Sequence, residues 1–224
     1  MVNATHIYIN YYKMKTLNYS DIINKVRLKL DEIGINESEM LAAVEDNTNL
    51  NSVIESYIKQ AYEYIMLNAS LSLIDGKDGS SAATTIDSSN LVCTVKVPND
   101  FMRLINIRLS SWKSSLSNLI TEDSPEYRAQ SNKWLCGSSE CPVVAIVHKT
   151  NGRHFELYKA ETNSDKLSVF SYVPTLDESS ESVSIPNELA EAFICYIAAL
   201  TLTTFKDEQA NGFISITNNI LGIQ

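Results

Sequence analysis

Between Ala192 and Thr204 the chain reads AFICYIAALTLTT, a run without a single charged side chain. Ile185-Pro186-Asn187-Glu188 opens it. Proline is tolerated in the first turn of a helix, and Glu188 and Glu191 lie near the positive end of the helix dipole. The run predicts a helix, but the apolar stretch to Phe205 is shorter than the ~20 residues that cross a bilayer. It is also dotted with threonines, and no membrane role follows. A helix that is apolar on nearly every side has to be covered on nearly every side. It is therefore a central core helix, a subunit interface, or both. The rest of the chain must supply that cover.

The chain has 224 residues, enough for one large domain or two small ones with a substantial core. Its 7 glycines and 5 prolines are too few for a disordered or fibrous chain. Lys and Arg number 18 against 27 Asp and Glu, a net charge of -9. Such a surface repels phosphate backbones, because tight nucleic-acid binding needs cations to displace counterions. The densest basic run, Lys25-Arg27-Lys29, has the spacing of a solvated helix side. The four cysteines, Cys93, Cys136, Cys141 and Cys195, are scattered, and no secretory signal is read ahead of them. Reduced thiols in a cytosolic setting are the expectation.

Taken in order, residues 1–19 predict a flexible arm, or in part an upstream extension of a start at Met14. Residues 20–224 predict a single α+β domain, N-terminal and C-terminal helices packed with a small antiparallel β-sheet region. Within it, 20–74 is helical, 75–90 a polar loop, 91–173 β-rich, and 185–221 a C-terminal helix pair. Ser20 is placed as an N-cap, with Ile22, Val26 and Leu30 on one face and Gly34 as the stop. A short helix is expected near Glu37 to Glu45. A longer one follows from about Leu50 to Ser70, with Val53, Tyr57, Ala61, Tyr64 and Asn68 as its main stripe and Ile54, Ile58 and Ile65 beside it. In the polar loop, Asp75, Asp78 and Asp87 suggest calcium. The position where an EF-hand needs its closing Glu is Ile86, so a plain hydrophilic loop is the reading.

Leu91 to Val97 and Phe101 to Ser110 predict strands, separated by a turn at Pro98-Asn99. Ser124 before Pro125 predicts the start of a short helix ending near Ser131. Pro142 to Lys149 and Arg153 to Lys159 flank Thr150-Asn151-Gly152, a strong hairpin signal. A two-residue turn at Asn151-Gly152 would pair His148 with Phe155, and Leu167 to Val173 would add a third strand to the same sheet. Pro174 to Ser184 reads as an acidic, serine-rich loop.

Chemistry-bearing patterns are sparse. Cys136, Cys141, His148 and His154 follow zinc-ligand order. Alternation along the hairpin puts His148 and His154 on opposite faces, where one ion can hardly reach both. Nucleotide-binding, Gly-x-Ser-x-Gly and His-Glu-x-x-His motifs do not occur. Cys136 or Cys195 with His148 is the only nucleophile pairing to consider, and no spacing supports it. No catalytic residue, cofactor or metal is assigned.

A resemblance goes further. VPNDFMRLINIRLSSW, then ITEDSPEYRAQSNKW, then CPVVAIVHKTNGRHFELYKA, closed by the Ile-Pro-led, Ala/Leu-rich helix, resembles head-to-tail connector (tail adaptor or ring) proteins of tailed bacteriophages. The crAss-like phages are the closest group. Each motif is loose; the ordered set, spanning about Leu50 to Leu221, carries the likeness. The resemblance implies a non-catalytic virion protein, made in the host cytoplasm and placed at the head–tail junction. It implies a homo-oligomeric ring, dodecameric, stacked between the portal protein and neighbouring tail or ring proteins. Genomic DNA would pass through its lumen without sequence-specific binding, and no membrane is involved. Candidate interface residues are Trp112, Tyr127, Trp134, Phe193, Tyr196 and Leu200; the first three either face a partner or pack inside the same subunit. The rival readings are a DNA-contacting or regulatory phage protein and a small Cys-dependent hydrolase.

Overall fold

The computed structural model describes residues 14–32, 49–132, 134–177, 179–205 and 207–223. The short helix expected near Glu37 to Glu45, the Gly34 stop and residues 1–13 lie outside them. The α+β class holds, and the chain divides into two compact units. One is built from both ends of the sequence, up to Asp75 and from Leu176; the other is the continuous middle, Gly76–Thr175.

The first unit is helical. Helices α1 (Tyr19–Glu32) and α2 (Leu50–Asn68) pack with α4 (Ala190–Thr204), which also lies against α5 (Ala210–Leu221). The uncharged run is thus a core helix covered by its own chain: Phe193, Ile197, Ala198, Ala199 and Leu202 are fully buried. Its threonines satisfy themselves, Thr201 donating to the Ile197 carbonyl at 2.9 Å. Tyr64 stacks on Tyr196 at 4.1 Å between ring centres. The buried line of α2 is Leu50, Ile54, Ile58, Ala61, Ile65, so the apolar face is rotated away from the expected Val53–Tyr57–Tyr64 stripe. Amphipathic tyrosines sit at the edge of the face, where the hydroxyl finds a partner; Tyr57 bonds Thr204 at 2.7 Å and Tyr64 bonds Asn218 at 3.1 Å.

Helix α2 is capped by Asn49, whose side chain accepts from the Asn51 amide at 3.0 Å. The basic run on α1 is less solvated than its spacing suggests, since Arg27 reaches Asn51 at 2.9 Å and Lys29 pairs with Glu191 at 3.1 Å.

Part of the expected arm is ordered structure. Strand β1 (Met14–Asn18) pairs antiparallel with β10 (Ser182–Pro186), which occupies the end of the expected acidic loop. Leu17, Val183 and Ile185 share the buried face of this ribbon. Neither segment is apolar enough to announce a strand alone. Partners over 160 residues apart supply the ladder.

The middle unit is two sheets face to face. A three-stranded sheet holds β2 (Lys77–Asp78), β9 (Leu167–Pro174) and β5 (Phe101–Leu109) in that order. A five-stranded sheet runs β3 (Thr84–Asp87), β4 (Val92–Lys96), β8 (Gly152–Tyr158), β7 (Val143–Lys149), β6 (Ile120–Thr121). The expected polar loop therefore contributes two strands, and β9 joins the other sheet instead of the hairpin. The reason is its partner: the nine-residue strand β5 pairs antiparallel with it from Phe101↔Pro174 to Leu109↔Leu167, across three register shifts. Between the sheets lies one apolar cluster that includes Cys93, Val95, Leu104, Ile107, Trp112, Phe155, Leu157 and Phe170. Gly76 sits where a Cβ would lie 2.1 Å from Ser171 Oγ and 2.5 Å from Ile105 Cδ1, so any other residue there would have to displace those side chains at the entry to β2.

The hairpin turn falls one residue earlier than expected, at Thr150-Asn151. Lys149 pairs with Gly152 and His148 with Arg153, Gly152 taking φ +113°. The strands slide by two residues relative to the expected pairing, which preserves their faces. No helix among the described residues is long and apolar enough to cross a membrane.

Candidate functional site: a polar recess on the five-stranded sheet

Alternation in β4, β7 and β8 gives the five-stranded sheet two unlike faces. Cys93, Val95, Val144, Phe155 and Leu157 point into the apolar cluster. Val92, Thr94, Lys149, Glu156 and Tyr158 point the other way. Over this second face lies α3 (Pro125–Ala129), started by Ser124, whose hydroxyl accepts from the Tyr127 amide at 3.2 Å with Pro125 in the first turn. Sheet, helix and the following loop enclose an open recess of about 680 Å³.

Glu156 is the centre of this recess, its side chain 14% exposed. Lys149 Nζ lies 2.9 Å from one carboxylate oxygen, and the Tyr158 and Tyr127 hydroxyls donate to the other at 2.7 and 3.4 Å. Lys149 also donates to Thr94 at 3.3 Å. Burial alone would raise the Glu156 pKa, but the bonds from Lys149, Tyr158 and Tyr127 and the charge of Lys149 outweigh it and hold the carboxyl below its ordinary value. The same contact acts in reverse on Tyr158, whose phenol is pushed up by burial and by the Glu156 anion.

Replacing Lys149 with Met is expected to raise the Glu156 pKa toward its ordinary value, as followed by side-chain carboxyl NMR. The Glu156 contribution to stability is present above the unfolded-state pKa and is lost as pH falls through the depressed folded value. In the K149M protein that acid-side loss should shrink. An unchanged Glu156 titration would show that Lys149 does not set it.

Two further carboxylates line the recess. Asp87 accepts from the Ser89 amide and hydroxyl at 2.9 and 2.6 Å, and Glu122 accepts from the His148 amide at 2.7 Å. Arg128 and Lys159 also line it, and among the described residues their side chains have no hydrogen-bond or ion-pair partner.

The zinc-order residues do not converge. His148 pairs with Arg153 on the cluster-facing side of its strand and is exposed, while His154 pairs with Val147 on the opposite face, buried, its Nδ1 donating to the Gly152 carbonyl at 2.9 Å. Among the described residues no three His, Cys, Asp or Glu side chains are grouped to hold a metal ion. Of the candidate nucleophiles, Cys195 is 1% exposed inside the helical unit, out of reach of a substrate. Burial also pushes the Cys93 thiol up to about 11.

The six candidate interface residues divide. Trp112 is 3% exposed and Phe193 fully buried, and both are removed from a partner surface. Trp112 is held inside by the cluster and by its indole N–H donating to the Lys159 carbonyl at 3.0 Å. Tyr196 and Leu200 are half-covered on α4, and Tyr127 is half-covered in the recess. Trp134 is 88% exposed, beside Leu135 at 65%. The recess itself was not legible in sequence: Glu156 and Lys149 are single polar positions on alternating strands, and only the sheet brings them to Tyr127. No known family model matches the chain, and no curated protein matches its sequence.

Proposed function

We propose that the chain is a structural subunit of a head-to-tail connector ring in a tailed bacteriophage, joining the portal to the tail around the DNA channel. The ordered set of motifs from Val97 to the C-terminal helix supports the reading, and the observation that carries it is the exposed Trp134-Leu135 pair. A bare indole and isobutyl group in water is unfavourable, and tryptophan is the residue most often found at the energetic centre of protein interfaces. The helical unit exposes a second, different apolar patch. Ile216 and Ile220 stand one turn apart on α5, 44% and 37% exposed, beside a shallow apolar recess lined by Gly212 and Phe213. A head-to-tail contact that closes a ring uses two unlike patches on each subunit. The buried α4, by contrast, is used up inside the chain, so ring contacts fall to the loop and α5.

Mass photometry after size-exclusion chromatography, alone and with a portal protein, tests the reading. Discrete ring-sized particles are expected, and Trp134→Ala combined with Ile216→Asp should shift them to monomer without lowering the melting temperature. A wild-type chain that stays monomeric at high concentration and ignores portal would sink the proposal. Tight, salt-sensitive duplex binding would favour the DNA-contacting rival.

A further inference from the structure

We propose that the recess over Glu156 binds a carboxylate group, with Arg128 and Lys159 as the residues that engage it. The inference goes beyond the connector reading and does not depend on it. Its basis is an inventory of donors and acceptors. The recess is lined by three carboxylates and three cations, Asp87, Glu122 and Glu156 against Arg128, Lys149 and Lys159, and is formally neutral. The acidic groups are all committed inside the chain: Asp87 to Ser89, Glu122 to His148, and Glu156 to Lys149, Tyr158 and Tyr127. Of the cations, Lys149 is committed to Glu156 and Thr94. Arg128 and Lys159 remain, so what the recess offers an incoming ligand is positive charge and N–H donors.

The chemistry of the ligand follows from the same inventory. A guanidinium matches a carboxylate with two parallel N–H···O bonds. A phosphate dianion would bring more charge close to three fixed carboxylates, whose repulsion the two free cations do not cancel. The volume, about 680 Å³, is in the range of pockets that take small molecules or a few residues of a peptide. The carboxylate could come from a free organic acid or from an acidic peptide segment, and the chemistry of recognition is the same.

Amide-detected NMR titration of the full chain at low ionic strength tests this with three probes: N-acetylglycine, which carries one carboxylate, a triglutamate peptide, and inorganic phosphate. Shifts are expected at Asn90, Thr94, Arg128 and Lys159 with either carboxylate probe, and weaker binding with phosphate. Triglutamate binding much more tightly than N-acetylglycine identifies a peptide source; equal affinities identify a free acid. Arg128→Gln and Lys159→Gln should each weaken binding roughly tenfold, the scale of one charge-assisted hydrogen bond. Asp87→Asn should strengthen it by removing a repelling charge. Lys166→Gln, outside the recess, should leave it unchanged. Among the described residues neither the Arg128 nor the Lys159 side chain has a hydrogen-bond or ion-pair partner, so melting temperatures of those variants should match wild type. Shifts outside the recess, tighter binding of phosphate, no binding of either carboxylate, or unaltered affinity in R128Q would each overturn the proposal.

Discussion

Replacing Phe155 with Ala is expected to cost about 3–5 kcal/mol, among the largest effects in the middle unit. Phe155 is fully buried at the middle of β8. Its ring meets Phe101 edge-on at 5.1 Å and Phe170 edge-on at 5.7 Å, so it touches both strands of the β5–β9 ladder, one at the sheet edge and one at its centre. Truncation removes the transfer free energy of the ring and leaves a cavity that two paired strands cannot close by shifting. Phe155→Leu keeps most of the volume and should cost less than half as much. Urea unfolding read by tryptophan fluorescence is the appropriate measurement, because both tryptophans belong to the middle unit. Equal midpoints for F155A and F155L would show that the ring is not the keystone.

Asp165→Ala is expected to cost about 2–4 kcal/mol, with a pH signature of its own. Asp165 is 8% exposed in the segment between β8 and β9. Its carboxylate accepts from the Ser111 hydroxyl, from the Glu161 amide at 2.8 Å, and from the Ser110 and Thr162 hydroxyls, each at 3.3 Å. It therefore ties the end of β5 to the entry of β9. Removing it deletes four hydrogen bonds to one carboxylate at once and leaves the part-buried Ser111 hydroxyl without its acceptor. Burial alone pushes this carboxyl up, but the hydrogen bonds together hold it below the ordinary aspartate value. A depressed folded pKa means stability fully present above the unfolded value near 3.9 and lost as pH falls through the folded one. Unfolding free energies measured across acid pH should therefore converge between wild type and D165A, while at neutral pH they stay apart. Asp165→Asn should also be destabilised, since its NH₂ faces donors, and should lack the acid-side slope. A gap between wild type and D165A that is independent of pH would show that the charge is not what holds the loop.

Several elements were legible in the sequence because they are set by local chemistry. Ser124 caps the helix that follows it, with Pro125 in the first turn, and the long helix begins at Leu50 as expected. The strands around Leu91–Val97, Phe101–Ser110 and the hairpin, and the opposed faces of His148 and His154, were also legible. The need to cover the 192–204 helix was plain as well. What covers it was not, since apolar character does not distinguish the chain's own helices from another subunit.

What only the tertiary structure decided were the pairings between distant segments. Strand β1 exists because β10 offers it a ladder, β9 leaves the hairpin because β5 is the longer partner, and β3 forms in a polar stretch because Ile86 pairs with Cys93. The same holds for the recess. Tyr127, Lys149 and Glu156 are polar residues with no common period, and it takes a folded sheet under α3 to bring their atoms within bonding distance. Periodicity records which side of an element faces apolar surroundings. It carries no record of which other element provides them, and that choice fixed both the two-unit division of the chain and the polar recess over Glu156.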